Sequence, residues 1–331
     1  MPGRSFLHGR REHRLPETAP DLHEVETYPL AKYAGAHPPE PEWFSRAIAI
    51  VPEDVPLVHD GARIETLAWG RRGAPGLLLI HGNRAHARWW SPIAPILANH
   101  FRVAAFSLPG MGGSDWRKTY SLTGYAEEAM AAAEAAGLFE ADAKPVFAGH
   151  SFGGGPVLAA AEKHGERLAG IMAIDSFIQI DKERPEGPPP RAHRVYPSLA
   201  DALARFRLAP PQPFEHPCYI DWIARHALKH VGSGESGGPG WQWRFDPWGW
   251  EHLGWHDRWQ AATQTNCPMA VIDGELSGIG GPHRTESLRA HMPPDTQFHI
   301  VEDAHHHIML DRPLELANLI AEITRGWQSA A

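Results

Sequence analysis

Short apolar runs, each closed by a glycine or a polar turn, recur along the chain from about Trp43 onward. They are Leu77–Ile80, Arg102–Phe106, Pro145–Ala148, Gly170–Ile174, Met269–Ile272 and Gln297–Val301, and their length predicts strands. Alanine-rich or helix-period segments fall between several of them: Trp89–Asn99, Thr123–Gly137, Gly154–His164 and Pro313–Trp327. Strands alternating with helices predict βαβ units and a mostly parallel sheet, an α/β fold. Upstream, Val55–His59 and Arg63–Trp69 flank Asp60-Gly61, a hairpin signal.

The alternation breaks between about Phe177 and Ala262, a stretch rich in Pro, Gly and Trp with helical pieces at Leu199–Phe206 and Tyr219–His230. A structureless loop of that length is implausible in a folded domain, so residues 177–262 are expected to form an inserted cap over the sheet. The core then comprises residues 43–176 and 263–331. Residues 1–42 mix Pro, His and charge without periodicity and read as an N-terminal arm.

Composition narrows the function classes. The 331 residues carry 31 basic and 39 acidic side chains, a net charge of −8, which removes the footprint expected of a nucleic-acid binder. A hydrophobic content of 43% fits a globular chain rather than a disordered one. Two cysteines, Cys218 and Cys267, can build neither a disulfide framework nor a metal-ligand pair. No apolar run reaches the ~18 residues of a membrane span, and the first residues lack the apolar stretch of a signal peptide. A cytoplasmic location is the resulting expectation.

Chemistry concentrates at Gly149-His150-Ser151-Phe152-Gly153, a G-x-S-x-G match between an apolar run and an alanine-rich segment. Such a turn needs its flanking glycines so that the backbone can pass close to its neighbours, and the following helix N-terminus faces a developing oxyanion. A second match, Gly234-Glu235-Ser236-Gly237-Gly238, sits in a glycine-rich loop with no strand before it. Upstream, Leu77–Ile80 runs into His81-Gly82-Asn83, where the N–H of Asn83 can join that of Phe152 as a two-donor oxyanion hole. Downstream, Ala304-His305-His306-His307 follows the last strand, a position from which a histidine can reach back to the serine as general base.

These pieces, together with Leu108-Pro-Gly-Met-Gly-Gly-Ser114-Asp115 and Pro313, resemble the α/β-hydrolase family over roughly residues 46–328. The resemblance implies an α/β-hydrolase fold with an inserted cap. It also implies that the catalytic histidine is His306, seven residues before Pro313. A three-histidine metal site is the competing idea, but adjacent side chains on a turn are expected to diverge, so no metal is expected.

The acid departs from the common pattern. Where much of the family has Gly-x-x-Asp after the strand before the last, this chain reads Asp273-Gly274-Glu275-Leu276-Ser277, and serine cannot stabilise an imidazolium by charge. A branch of the family carries the acid after the strand that follows the nucleophile helix. That strand is Gly170–Ile174 and ends in Asp175. Asp175 is therefore the expected acid, with Asp273 and Glu275 as alternatives.

Six tryptophans (Trp241, Trp243, Trp248, Trp250, Trp255 and Trp259) fall beside Arg244, Asp246 and His256. They read as the small core of the cap, with some rings, Trp243 and Trp248 among them, and His81 expected to line an apolar pocket. Arg244 is a candidate for a substrate carboxylate or a partner for Asp246.

The whole implies a cofactor-independent serine hydrolase, with Ser151, His306 and Asp175 cleaving a carboxylic ester of a small, fairly apolar molecule. A serine at position 151 disfavours epoxide hydrolysis and dehalogenation, which use an aspartate there in this family. Lactone, thioester, amide or C–C cleavage and a non-hydrolytic ligand-binding role stay open, as does a homo-oligomer.

Overall fold

Eight strands form the central sheet: β1 (Glu53–Asp54), β2 (Thr66–Trp69), β3 (Gly76–Ile80), β4 (Arg102–Phe106), β5 (Val146–His150), β6 (Gly170–Ile174), β7 (Met269–Gly274) and β8 (Gln297–Val301). Their spatial order is β1-β2-β4-β3-β5-β6-β7-β8. The first two strands pair antiparallel, and every neighbour from β4 through β8 pairs parallel. The computed structural model describes residues 27–176, 178, 190–232, 238–254 and 258–330, without the side chains of Arg258, Trp259 and Ala330. Residues 1–26 of the expected arm, Ser236, Trp255 and His256 lie outside the described residues, as does the Trp259 side chain.

Strands β3 to β6 are buried at every position, because helices cover both faces of the sheet. Alternation along β3 shows the two layers: Leu77 and Leu79 belong to one core cluster, Leu78 and Ile80 to the other. Helix Gly154–His164 packs against helix Leu122–Ala135 and against β5 and β6. Its Ala159, Ala160 and Ala161 are fully buried, small side chains that permit close approach. Ser121 caps the neighbouring helix by accepting the Gly124 N–H at 2.9 Å.

Three expected elements change. Trp89–Asn99 is two short turns, Ala87–Trp89 and Ala94–Leu97, since Pro92 and Pro95 remove the N–H groups a continuous helix would use. Tyr219–His230 is helix Pro217–His226 followed by a strand, Leu228–Val231, which pairs antiparallel with Gly240–Trp243 outside the central sheet. Partnering with the tryptophan-rich strand overrides the helical pattern. The hairpin shrinks to Val58–His59 against Ala62–Arg63, with Asp60 and Gly61 at φ 45° and 74°, as a two-residue turn of this hand requires.

The parallel strands deliver their C-terminal ends to one edge. In register, Ile174 lies opposite Ile272, so Asp175 and Asp273 emerge from adjacent strands. Loops after β3, β5 and β8 open at the same edge, where ligands bind in open α/β sheets.

Candidate active site

Ser151 sits between β5 and the helix Gly154–His164 at φ 55°, a left-handed conformation that costs a non-glycine residue about 1–3 kcal/mol and persists where its surroundings fix it. Those surroundings explain the flanking glycines. A Cβ on Gly149 would lie 2.2 Å from the Gly153 carbonyl oxygen, and one on Gly153 would lie 2.6 Å from that of His81. The turn after β3 runs directly against the serine, since a Cβ on Gly82 would meet the Ser151 Cβ at 3.2 Å.

From Ser151 a relay of hydrogen bonds runs inward. The Oγ lies 3.0 Å from Nε2 of His306, whose Nδ1–H donates to Oδ1 of Asp175 at 2.8 Å. Ser151 is half-buried, while His306 and Asp175 are buried. Asp175 itself has φ 41°. Its Oδ1 also accepts the Ser277 hydroxyl at 2.7 Å, and its Oδ2 accepts the Gly274 N–H at 2.9 Å. Ser277 in turn accepts the N–H groups of Ile279 and Gly280. Three donors thus satisfy a carboxylate that has no contact with water, the condition under which a buried charge is tolerated. The residue standing where the family's acid is usual acts here as a hydrogen-bond donor to Asp175.

The alternative acids point elsewhere. Glu275 is exposed and accepts the Asp303 N–H. Asp273 is buried, accepts the Thr285 hydroxyl at 2.7 Å and leaves its other oxygen without a partner among the described residues. Burial, and secondarily the charge of Asp175, raise its pKa to about 6.

Two further histidines pack on His306. The His150 ring lies 4.9 Å and the His307 ring 4.7 Å from it, centre to centre. Adjacent side chains on this turn therefore converge, contrary to the expected divergence. Loop anchors account for this: Asp311 accepts the His305 N–H, and Gln212 accepts the His307 N–H, both at 2.7 Å. Ring nitrogens of His150, His306 and His307 come within 4.8 Å of one another, a spacing that could hold a cation. Any metal there would compete with bonds already made, since His150 Nε2 donates to the His306 carbonyl at 2.9 Å and His306 uses both nitrogens. Desolvation, with a smaller contribution from His306, lowers His150 to about 3 and holds His307 far below the usual range. Both rings stay neutral near pH 7, so an imidazolium formed on His306 would meet no second positive ring.

Beside the serine lies a narrow cleft lined by both Asn83 and Phe152, with Tyr125, Phe245 and Trp250 among the aromatic walls. Segment 244–254 closes one side. Asp246 donates its N–H to the Gly110 carbonyl at 2.7 Å and accepts the Tyr120 hydroxyl at 2.8 Å. The other expected pocket residues lie off this cleft. His81 is buried, its Nδ1–H donating to the Gly82 carbonyl and its Nε2 accepting the Leu108 N–H; desolvation lowers it to about 4. It ties the loops after β3 and β4 together. Trp243 packs on Phe206 and Tyr196, and Trp248 is exposed. Arg244 donates Nε–H to the Leu228 carbonyl. Among the described residues, Trp250, in contact with Phe152 at 6.5 Å, is the tryptophan of this segment that reaches the cleft. Nothing in its local sequence separates it from the other five.

A sequence model of the alpha/beta hydrolase family matches residues 77–319. The chain belongs to the alpha/beta hydrolase family. It is 36% identical over 123 residues to a protein carrying the name of a non-heme haloperoxidase, from Mycobacterium phage D29, covering 36% of this chain and 42% of that protein. It is 30% identical over 115 residues to a pimeloyl-[acyl-carrier protein] methyl ester esterase of Edwardsiella ictaluri (strain 93-146), covering 34% and 42%. The chain thus spans about two-fifths of the length of these curated relatives. Among solved structures, the thioesterase domain from the curacin biosynthetic pathway superposes with a TM-score of 0.67 at 19% identity, over 82% of this chain and 99% of that one. An esterase of M. tuberculosis does so at 0.61 and 20%, over 89% and 95%. At such identities the superpositions speak for the fold. No described helix of this family member is long and apolar enough to cross a membrane.

Proposed function

We propose that this family member is a serine hydrolase that cleaves a carboxylic ester of a small substrate with an apolar body. The observation that carries the reading is the continuous relay Ser151–His306–Asp175, with contacts of 3.0 and 2.8 Å. Ser151 Oγ attacks the ester carbonyl while His306 Nε2 takes the hydroxyl proton. Asp175 holds the imidazole with Nε2 as acceptor and stabilises the imidazolium. The N–H groups of Asn83 and Phe152 receive the oxyanion. His306 then returns the proton to the leaving alcohol, leaving an acyl-enzyme. Water, deprotonated by the same nitrogen, attacks the acyl carbonyl, and collapse of that intermediate releases the acid and restores the serine hydroxyl.

Residues 177–262 are proposed as the cap. Its described part carries the Leu228–Val231/Gly240–Trp243 hairpin outside the central sheet and supplies Phe245 and Trp250 to the cleft. The ester-cleaving name of one relative supports the same bond type. The reading is tested by intact mass after exposure to a fluorophosphonate, wild type beside Ser151→Ala, followed by a panel of 4-nitrophenyl esters. One adduct and ester turnover on wild type, both lost in the variant, are expected. A folded wild type that takes no adduct and turns over no ester contradicts it.

A further inference from the structure

The cleft mouth carries positive charge that ester cleavage alone does not call for. Arg84 follows Asn83 directly and lines the cleft beside it. Its φ is 56°, a conformation glycine would adopt more cheaply, so an arginine is held here at a backbone cost. The Arg84 N–H donates to the Met111 Sδ at 3.2 Å, which fixes the turn, and the guanidinium lies 4.9 Å from the centre of the Phe245 ring. A line of rings runs outward from the guanidinium to a second cation, Lys229. His193 packs edge-on against Phe245 at 4.6 Å and faces Trp116 at 6.4 Å. Lys229 Nζ sits 5.6 Å from the Trp116 ring centre.

Among the described residues, no carboxylate lies within ion-pair distance of Arg84, Arg207 or Lys229. Asp246, the acid on the cleft wall, is occupied by the Tyr120 hydroxyl on one oxygen and the Trp248 N–H on the other. Desolvation against the wall, and then the neighbouring charge of Arg207, pull Arg84 below its usual pKa. The chain as a whole carries −8, so cations gathered at the cleft mouth run against the average charge. Like charges gathered without a partner are unfavourable until an anion arrives. A planar guanidinium backed by an aromatic ring matches a carboxylate with two parallel N–H···O bonds.

We infer that the ester cleaved at Ser151 carries a second, free carboxylate at the far end of its apolar body, and that Arg84 receives it. This rests on the ester-hydrolase reading and gives it a substrate class, half-esters of dicarboxylic acids. Arg84 is then a specificity-determining residue next in sequence to an oxyanion donor. Arg207 and Lys229 steer the anion toward the cleft.

The experiment compares kcat/KM for mono(4-nitrophenyl) glutarate and 4-nitrophenyl pentanoate, acyl chains alike in length and differing in the terminal charge. Wild type is expected to prefer the glutarate ester about tenfold or more, the range of a charge-assisted hydrogen bond. The ratio should fall about tenfold in Arg84→Gln, recover in part in Arg84→Lys, and shrink in wild type as salt is raised. A wild-type ratio at or below one, or a ratio unchanged in Arg84→Gln, overturns the inference. Fluorophosphonate labelling of each variant shows that its site is intact. Binding of glutarate to Ser151→Ala, measured by calorimetry with and without Arg84→Gln, separates the two claims. If neither ester is cleaved, the hydrolase reading fails; glutarate binding lost in the Arg84 variant still supports the anion site, and no binding sinks it as well.

Discussion

Strands β6 and β7 run side by side and each brings an aspartate to its C-terminal end, yet the two carboxylates meet opposite surroundings. Asp175, after β6, accepts from His306, Ser277 and the Gly274 N–H. Asp273, in β7, accepts from Thr285 and leaves one oxygen without a partner among the described residues. Both are fully buried. Gly280 passes between them so tightly that a Cβ there would lie 2.6 Å from one carboxylate and 3.0 Å from the other. Burial alone therefore does not set the two acids apart; the number of donors does. The position well supplied with donors faces the histidine. The poorly supplied one keeps its proton up to about pH 6, held there by burial and then by the charge of Asp175.

Replacing each acid by asparagine breaks this comparison most sharply. Asp175→Asn is expected to lower kcat by about 10³–10⁴-fold, the loss seen when a triad acid is changed to its amide and the imidazole takes the wrong tautomer. Asp273→Asn should leave kcat within about threefold, since its side chain makes no contact with His306 and a loss of one unshared hydrogen bond is small on this scale. Steady-state kinetics on one activated ester checks both. Equal losses would mean that the two acids work as one unit.

Stability should respond in the reverse sense. Asp273 is raised from 3.8 to about 6, so the unfolded chain releases its proton near pH 4 while the folded chain keeps it until about pH 6. Wild type therefore loses stability as pH rises through that window, and the full cost is present above it. Asp273→Asn removes the cost, worth up to about 3 kcal/mol for two pKa units. Urea unfolding at pH 4 and pH 7 should show the variant gaining on wild type at the higher pH; a gain that is the same at both would contradict the assignment.

The smallest expected effect is at Ser277. Its hydroxyl is one of three donors to Asp175, so Ser277→Ala should lower kcat about tenfold or less, with KM nearly unchanged. Ser277→Thr, which keeps the hydroxyl, should restore most of it. A loss as large as that of Asp175→Asn would make Ser277 a full partner rather than a support.

Much of this arrangement could be read from local chemistry. The apolar runs at Leu77–Ile80 and Gly170–Ile174 and the alanine-rich Gly154–His164 segment specify their own periods, and they sit in the fold where those periods put them. Gly149 and Gly153 announce a tight turn because no other residue fits it. Asp175 becomes conspicuous once Ser277 stands in the usual acid's place. What sequence could not supply depends on distant partners. The placing of the His305–His307 turn that brings His307 onto His306 is set by Gln212 from a distant segment and by Asp311 in the short helix that follows. Trp250 reaches the cleft while Trp243 and Trp248 do not, because strand pairing and the Asp246 contacts orient that segment. The change from helix to strand at Leu228 needs the Gly240–Trp243 strand beside it. Arg84 carries no motif at all; its meaning comes from the cleft it lines and from Phe245, brought to it from a distant part of the chain.

The most direct measurement is the rate of fluorophosphonate adduct formation, read by intact mass, in wild type, Ser151→Ala, Asp175→Asn and Asp273→Asn. The relay predicts one adduct on wild type and none on Ser151→Ala. It also predicts labelling slowed by orders of magnitude in Asp175→Asn and close to wild type in Asp273→Asn. Labelling at wild-type rate in Asp175→Asn would contradict it, and show that His306 takes its charge support from somewhere other than the end of β6.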